Sequence, residues 1–321
     1  MTNLLQPPSG EPRRPHGPRD PGDAWVDGEQ GKFWGRFGAA GVLVHDADRG
    51  ILLQHRATWS DQGGTWGLPG GALHEGEDAV TGALREAEEE AAVPSSQVRI
   101  LFTSVFDVGY WSYTTVAARV AQSFEPVISD PESIELQWVA VDEVGQKPLH
   151  SGFAAAWPAL REALTRKVVL VVDGANVVGS RPDGWWRDRR KAAQKLIDNL
   201  SAAALHGLPD WTGAVDRGGD QDPGPGSGAD VKNGAPRIWP EILVVTEGQA
   251  NGAADEKGRV QVLAADRDGD QAVVDAVQQL RRAGSTVHVV TADRGLRRRV
   301  EALGAEVAGP GWLLTHIEAT Q

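Results

Sequence analysis

From residue 168 onward the chain alternates apolar runs of strand length, "VVLVV", "ILVVT", "VQVLA" and "VHVVT", with helical patterns such as "QAVVDAVQQLRRA" and "GLRRRVEALG". Runs that are apolar at nearly every position suit strands covered on both faces, and their alternation with helices calls for a parallel sheet between helical layers. Nothing before residue 166 has that rhythm. There "GAAGVLVHD" and "ILLQHR" flank the turn "DADRG" as a hairpin, and "QVRILFTSVFDV", "YWSYTTVAARVA" and "ELQWVAVDEV" supply further strands around one helix from about 78 to 91, with "GFAAAWPALREALT" as a closing helix. The expectation is α/β overall: an α+β domain over 24–165 with a mixed sheet between helices, then a domain over 167–321 with a parallel sheet.

Two segments fit neither pattern. Residues 1–23 carry charge and proline but no apolar run, and 213–238 is rich in Gly, Pro and Asp without periodicity. The first is expected to be a disordered tail and the second a disordered insertion in the second domain. No apolar run approaches the length of a membrane span, so a cytoplasmic protein without membrane contact is expected. Cysteine is absent, which excludes disulfides, thiolate metal sites and a cysteine nucleophile. The net charge is −12. Its acidic excess lies in the first half, so contact with a polyanion is expected only in the second.

The 78–91 helix raises the chemical question. Its core stripe is Val80, Ala83, Leu84, Ala87 and Ala91, yet Glu86, Glu88, Glu89 and Glu90 crowd its last turns. Like charges at i, i+4 cost about 0.2–0.5 kcal/mol per pair. Glu86, Glu89 and Glu90, at i, i+3 and i+4, share one arc, where a hard divalent cation would relieve them through oxygen ligands.

Gly71, Glu77 and the run Arg85-Glu86-Ala87-Glu88-Glu89-Glu90-Ala91-Ala92-Val93 have the spacing Gx5Ex7REUxEExGU and resemble the Nudix box. One specified position departs: Ala92 stands where the family has glycine. A left-handed residue is expected there, just past the helix end, at a cost of about 1–2 kcal/mol for a non-glycine. The resemblance covers about 24–165 and implies a pyrophosphohydrolase that splits a nucleoside diphosphate linked to a further group, as in a nucleoside triphosphate, with Mg²⁺ or Mn²⁺ as cofactor. It implies Gly71, through its carbonyl, Glu86, Glu89 and Glu90 as the metal-site groups, with Arg85 and Glu77 orienting helix and loop. The general base is left open among Glu86, Glu89, Glu132 and Glu135. Arg56 is a candidate phosphate contact, and Trp59 and Trp66, flanking "GGTWGLPGG", are candidates for stacking on a base. A nucleotide-sensing regulator that binds without hydrolysis is the alternative.

In the second half, Asp173, Glu247, Asp266 and Asp293 each follow an apolar strand, where parallel α/β sheets build their sites; acids there also begin helices as caps. "VVDGANVVGSRPDGWW", "GDQAVVDAV" and "VVTADRGLRRRV" together resemble the NYN branch of PIN-like nuclease domains, a Rossmann-like parallel fold. The resemblance implies Asp173, Asp270, Asp275 and Asp293 as metal-binding acids and RNA as partner. Gln271 stands where that family commonly has a second acid, so a non-catalytic RNA-binding or interaction module is the alternative. Arg181, Arg187, Arg189, Arg190 and Lys191, interleaved with Trp185 and Trp186, are the groups that would meet an RNA backbone and its bases.

Overall fold

The computed structural model describes residues 21–181, 184–211 and 235–318. The chain divides into two compact units, one of residues 1–164 with 210–237 and the other of 165–209 with 238–321. The expected tail lies outside the described residues except for 21–23. So does the expected insertion up to 234, but its last part is ordered: Arg237–Ile238 is a short strand, and the Arg237 N–H donates to Thr103 Oγ1 at 2.8 Å.

In the first unit a hairpin of β1 (Trp25–Gly28) and β2 (Gly31–Trp34) precedes the main sheet. That sheet runs β7-β8-β3-β4-β5 through β7 (Val98–Asp107), β8 (Ser112–Val120), β3 (Ala39–Asp46), β4 (Gly50–Arg56) and β5 (Trp66–Gly67). β6 (Gly70–Ala72) pairs with β3, and β9 (Ser133–Val139) with β4. The sheet is mixed as expected, because β3 runs parallel to β8 and antiparallel to β4 and β6. The β3–β4 turn is held by Asp46, whose Oδ1 accepts the N–H groups of Asp48 and Arg49.

Helix α1 (Ala79–Ala91) begins where Asp78 accepts from the N–H groups of Val80 and Thr81. Such a cap contributes about 1 kcal/mol. The helix lies on the sheet through Ala83, Ala87 and Ala91, against Val42, Val44, Val116 and Ala118. Small residues on this stripe let the helix approach β3 closely, which brings its glutamates beside β6. α2 (Ser151–Leu164) closes the unit with Phe153, Trp157, Leu160 and Ala163 buried.

The second unit holds β10 (Val168–Asp173), α3 (Gly174–Gly179), α4 (Arg189–His206), the two-residue strands β11 (Leu208–Pro209) and β12 (Arg237–Ile238, the last residue only), β13 (Glu241–Glu247), β14 (Val260–Ala265), α5 (Gly269–Arg282), β15 (Thr286–Val290), α6 (Arg294–Glu301), β16 (Glu306–Ala308) and α7 (Pro310–Glu318). Its five-stranded sheet has the order β14-β13-β10-β15-β16, every pair parallel. The strand order reverses at β10, whose carboxyl end is therefore where a doubly wound sheet opens a crevice. Asp188 caps α4 at Lys191, leaving Trp185 and Trp186 on a single 3₁₀ turn ahead of the helix.

Ala92 has φ +52° and ψ +37°, the left-handed conformation expected of the missing glycine, while its N–H and that of Val93 still reach the carbonyls of Glu88 and Ala87. Ala92→Gly removes this backbone strain and is expected to stabilise the chain by about 1 kcal/mol, read as a raised unfolding midpoint in urea.

Candidate active site

The Arg85 guanidinium is the hub of the first site. Its Nε and one terminal nitrogen donate to the two oxygens of Glu77 at 2.9 and 2.8 Å, and that nitrogen also reaches Ala72 O at 3.2 Å. The other terminal nitrogen donates to Glu86 Oε1 at 2.9 Å and to Glu89 Oε2 at 3.4 Å. One cation thus ties the loop after β6 to the helix. Glu77 Oε2 accepts the His74 N–H as well, and the Arg85 guanidinium holds the Glu77 carboxyl below its ordinary range.

Gly71 sits in β6 opposite Ala40. A Cβ on it would lie 2.6 Å from Glu86 Oε2 and 2.8 Å from Oε1, so the Glu86 carboxylate occupies the space that a side chain would fill. Glu90 is only 7% exposed, and its Oε2 accepts the Gly70 N–H at 2.9 Å. Burial, then the charge of Glu86, pushes its carboxyl up to about 8. Two carboxylates repelling one another offer oxygen donors of the kind that suit a hard divalent cation. Glu89 lies on the rim, its side chain 61% exposed. Among the described residues no group of three or more His, Asp or Glu side chains is able to hold a metal ion by itself, so substrate oxygens would have to complete the shell.

Arg56 donates through Nε to Asp61 O at 3.0 Å, and its charge acts on Glu90, so it stands at the cleft. Glu132 also acts on Glu90, because its loop docks on the end of α1 through the Ser129 N–H to Glu90 O and is fixed by the Ala57 N–H to Glu132 O. Glu135 is exposed on β9 opposite His55. Trp66 requires a correction as a base-stacking residue. The His55 ring stacks on it at 4.7 Å, Lys147 Nζ lies 4.2 Å from its centroid, and 6% of it is exposed, which makes it a packing residue.

In the second unit a cavity of about 260 Å³ opens at the carboxyl end of β10, lined by Asp173, Asn176, Glu247, Gly269, Asp270 and Asp293 among others. Asp173 and Asp293 do what strand-end acids ordinarily do, capping α3 and α6 through the N–H groups of Asn176 and Leu296. They also face the cavity. Burial first, and the charges of Asp270 and Glu247, push Asp173 up, despite its bonds from the Asn176 N–H and the Thr291 hydroxyl. Asp270 is pushed up by burial and then by Asp293 and Asp268. Asp275 is the second correction: it does not line the cavity but accepts from Gln271 Nε2 at 2.7 Å one turn along α5, while Gln271 Oε1 accepts from Arg299 at 2.6 Å. Glu247 takes its place in the cavity wall, its Oε2 accepting the Gly269 N–H at 3.0 Å. Its position at a strand end was the only signal for it in the sequence.

A mixed sheet carrying a helix whose arginine gathers carboxylates around a glycine is the arrangement expected of the Nudix box. Family comparison agrees, since the NUDIX domain model matches residues 35–161. A putative 8-oxo-dGTP diphosphatase 3 of Mycobacterium tuberculosis is 44% identical over 167 residues, 49% of this chain and 76% of that protein. A nucleoside triphosphate pyrophosphatase/Nudix hydrolase fusion protein of Bifidobacterium longum is 42% identical over 147 residues, 43% of this chain and 30% of that protein. Among solved structures, the Nudix hydrolase RenU of M. smegmatis aligns at 46% identity over 44% of this chain and 95% of its own, with a TM-score of 0.42. The chain belongs to the Nudix family and is a Nudix hydrolase.

Because the folded Glu77 carboxyl is depressed, its pairing with Arg85 contributes stability above the unfolded carboxylate range, and that contribution is lost as pH falls through the folded value. Arg85→Met is expected to cost about 3 kcal/mol at neutral pH and much less in acid, as Glu77 takes up a proton; urea unfolding at both pH values measures the difference.

Proposed function

We propose that the first unit is a Mg²⁺- or Mn²⁺-dependent pyrophosphohydrolase of nucleoside triphosphates. The observation that carries this reading is Glu86 locked by Arg85 against Gly71 and beside buried Glu90. Gly71, Glu86, Glu89 and Glu90 would hold the ion, which when bound polarises a phosphoryl oxygen and makes water a better nucleophile. Arg85 keeps the Glu86 carboxylate aimed, the Gly70 N–H fixes Glu90, and Arg56 supplies positive charge for a phosphate. Glu132, held at the end of the box helix, is the best-placed candidate outside the box to take the proton from water. The names of the relatives make 8-oxo-dGTP the first substrate to try.

The second unit is proposed to be a PIN-like domain that binds a divalent ion and RNA. The acid-lined cavity where the strand order reverses supports that reading, as do exposed Trp186, Arg187 and Arg189. Gln271 is committed to Asp275 and Arg299, which favours binding without cleavage.

A screen of purified protein over nucleoside triphosphates, dinucleotide cofactors, nucleotide sugars and 5′-modified RNA with each metal tests the first proposal. Glu89→Gln should lower kcat at least about a hundredfold with the fold intact; unchanged turnover in saturating Mg²⁺ would remove Glu89 from the metal site. For the second unit, Mn²⁺ should raise the melting temperature of the Glu89→Gln chain by mass action. Asp173→Asn should erase that increment, and an increment that survives it would show that the ion does not use this cavity.

A further inference from the structure

Tyr113 carries a hydroxyl that the chemistry above does not use. It lies on β8, paired with Ala39 of β3, and its ring leans on Trp111 at 6.4 Å. Trp111 in turn stacks on Phe33 of the β1–β2 hairpin at 4.4 Å and 11°, and its Nε1 donates to Trp34 O. This aromatic run fixes where the phenol points. Its end lies over Gly41: a Cβ there would meet the Tyr113 oxygen at 2.3 Å and Pro69 O at 3.0 Å. Gly41 is paired with Gly70, whose N–H holds Glu90. The hydroxyl therefore reaches the strand pair that carries the buried carboxylate, through a notch that only glycine leaves open.

Its charged surroundings include residues of the Nudix box. The charges of Arg56, Glu90 and Glu86 all act on it, and burial above all pushes its ionisation up to about 12, so it is a neutral O–H donor at physiological pH. Among the described residues no protein acceptor takes that proton in a hydrogen bond, and Pro69 O, the nearby carbonyl, accepts from the Val42 N–H. Tyr113 is half-buried rather than sealed off, and a ligand oxygen entering beside the Nudix box would replace water as the acceptor of its proton.

We propose that Tyr113 is a substrate-binding residue whose hydroxyl donates to a phosphate oxygen of the nucleotide held at the Nudix box, and that Gly41 is required there to let it through. The inference rests on reading the first unit as a nucleotide pyrophosphohydrolase. It also gives a role to the β1–β2 hairpin, residues 25–34, which lies ahead of the segment matched by the family model and supports the phenol through Phe33 and Trp34.

The test is calorimetric binding of guanosine 5′-(α,β-imido)triphosphate with Mg²⁺ to the full chain, alongside steady-state hydrolysis of GTP and 8-oxo-dGTP. Tyr113→Phe keeps the ring packed on Trp111 and should raise Kd and KM about tenfold while kcat changes by less than about threefold. Gly41→Ala keeps the phenol chemistry, displaces the hydroxyl and should weaken binding to a similar degree. An unchanged Kd in either variant, with hydrolysis intact in the wild type, overturns the role of Tyr113 and leaves the parent reading standing. Wild-type protein that neither binds the analogue nor hydrolyses any nucleotide overturns both.

Discussion

The first unit depends on one ionic arrangement, the Arg85 guanidinium shared by Glu77, Glu86, Glu89 and the Ala72 carbonyl. A helix that ends in four glutamates within five residues repels itself, and a buried carboxylate such as Glu90 adds to the cost. Arg85 offsets part of it and in the same act fixes geometry. Its planar fork takes Glu77 with two parallel bonds, which staples the loop after β6 to the helix, and leaves its remaining donors to set the direction of Glu86. Lysine at this position would supply the charge without the fork. The remaining repulsion, between Glu86 and Glu90, is what a divalent cation and the phosphates it brings would relieve.

That arrangement also explains why glycine is needed where it is. Gly71 leaves room for the Glu86 carboxylate, and Gly41 leaves room for the Tyr113 hydroxyl. Both lie on the paired strands β3 and β6, so the alanine stripe of α1, the close strand pairing and the charged face of the helix belong to one packing solution. Ala92 shows where the chain departs from it: the left-handed turn is kept although the residue that favours it is absent.

Much of this was legible in the sequence. The strands and both helices of the first unit follow from apolar runs and periodicity, and the spacing from Gly71 to Val93 pointed to the residues that gather around Arg85. Tyr113 was not legible, because a tyrosine in a strand reads as packing until the register brings it over Gly41. Trp66 misled in the opposite way: a tryptophan beside a glycine-rich loop resembles a stacking platform, but His55 and Lys147 occupy its ring. In the second unit, the resemblance named three of the four cavity acids, Asp173, Asp270 and Asp293, and strand-end position named Asp173, Glu247 and Asp293. The resemblance failed at Asp275, where one helical turn separates a cavity wall from a side chain bonded to Gln271. Burial and pairing of that kind depend on which strands become neighbours, which local pattern does not contain.

In the proposed reaction the Arg85-organised carboxylates direct water onto a nucleotide phosphorus. Hydrolysis of a nucleoside triphosphate in ¹⁸O-labelled water, followed by ³¹P NMR, tests it most directly. The expected products are a nucleoside monophosphate and pyrophosphate, with a single ¹⁸O in one of the two, formed at least about a hundredfold more slowly by the Glu89→Gln chain. Products formed without label, or formed equally by the variant, would contradict it.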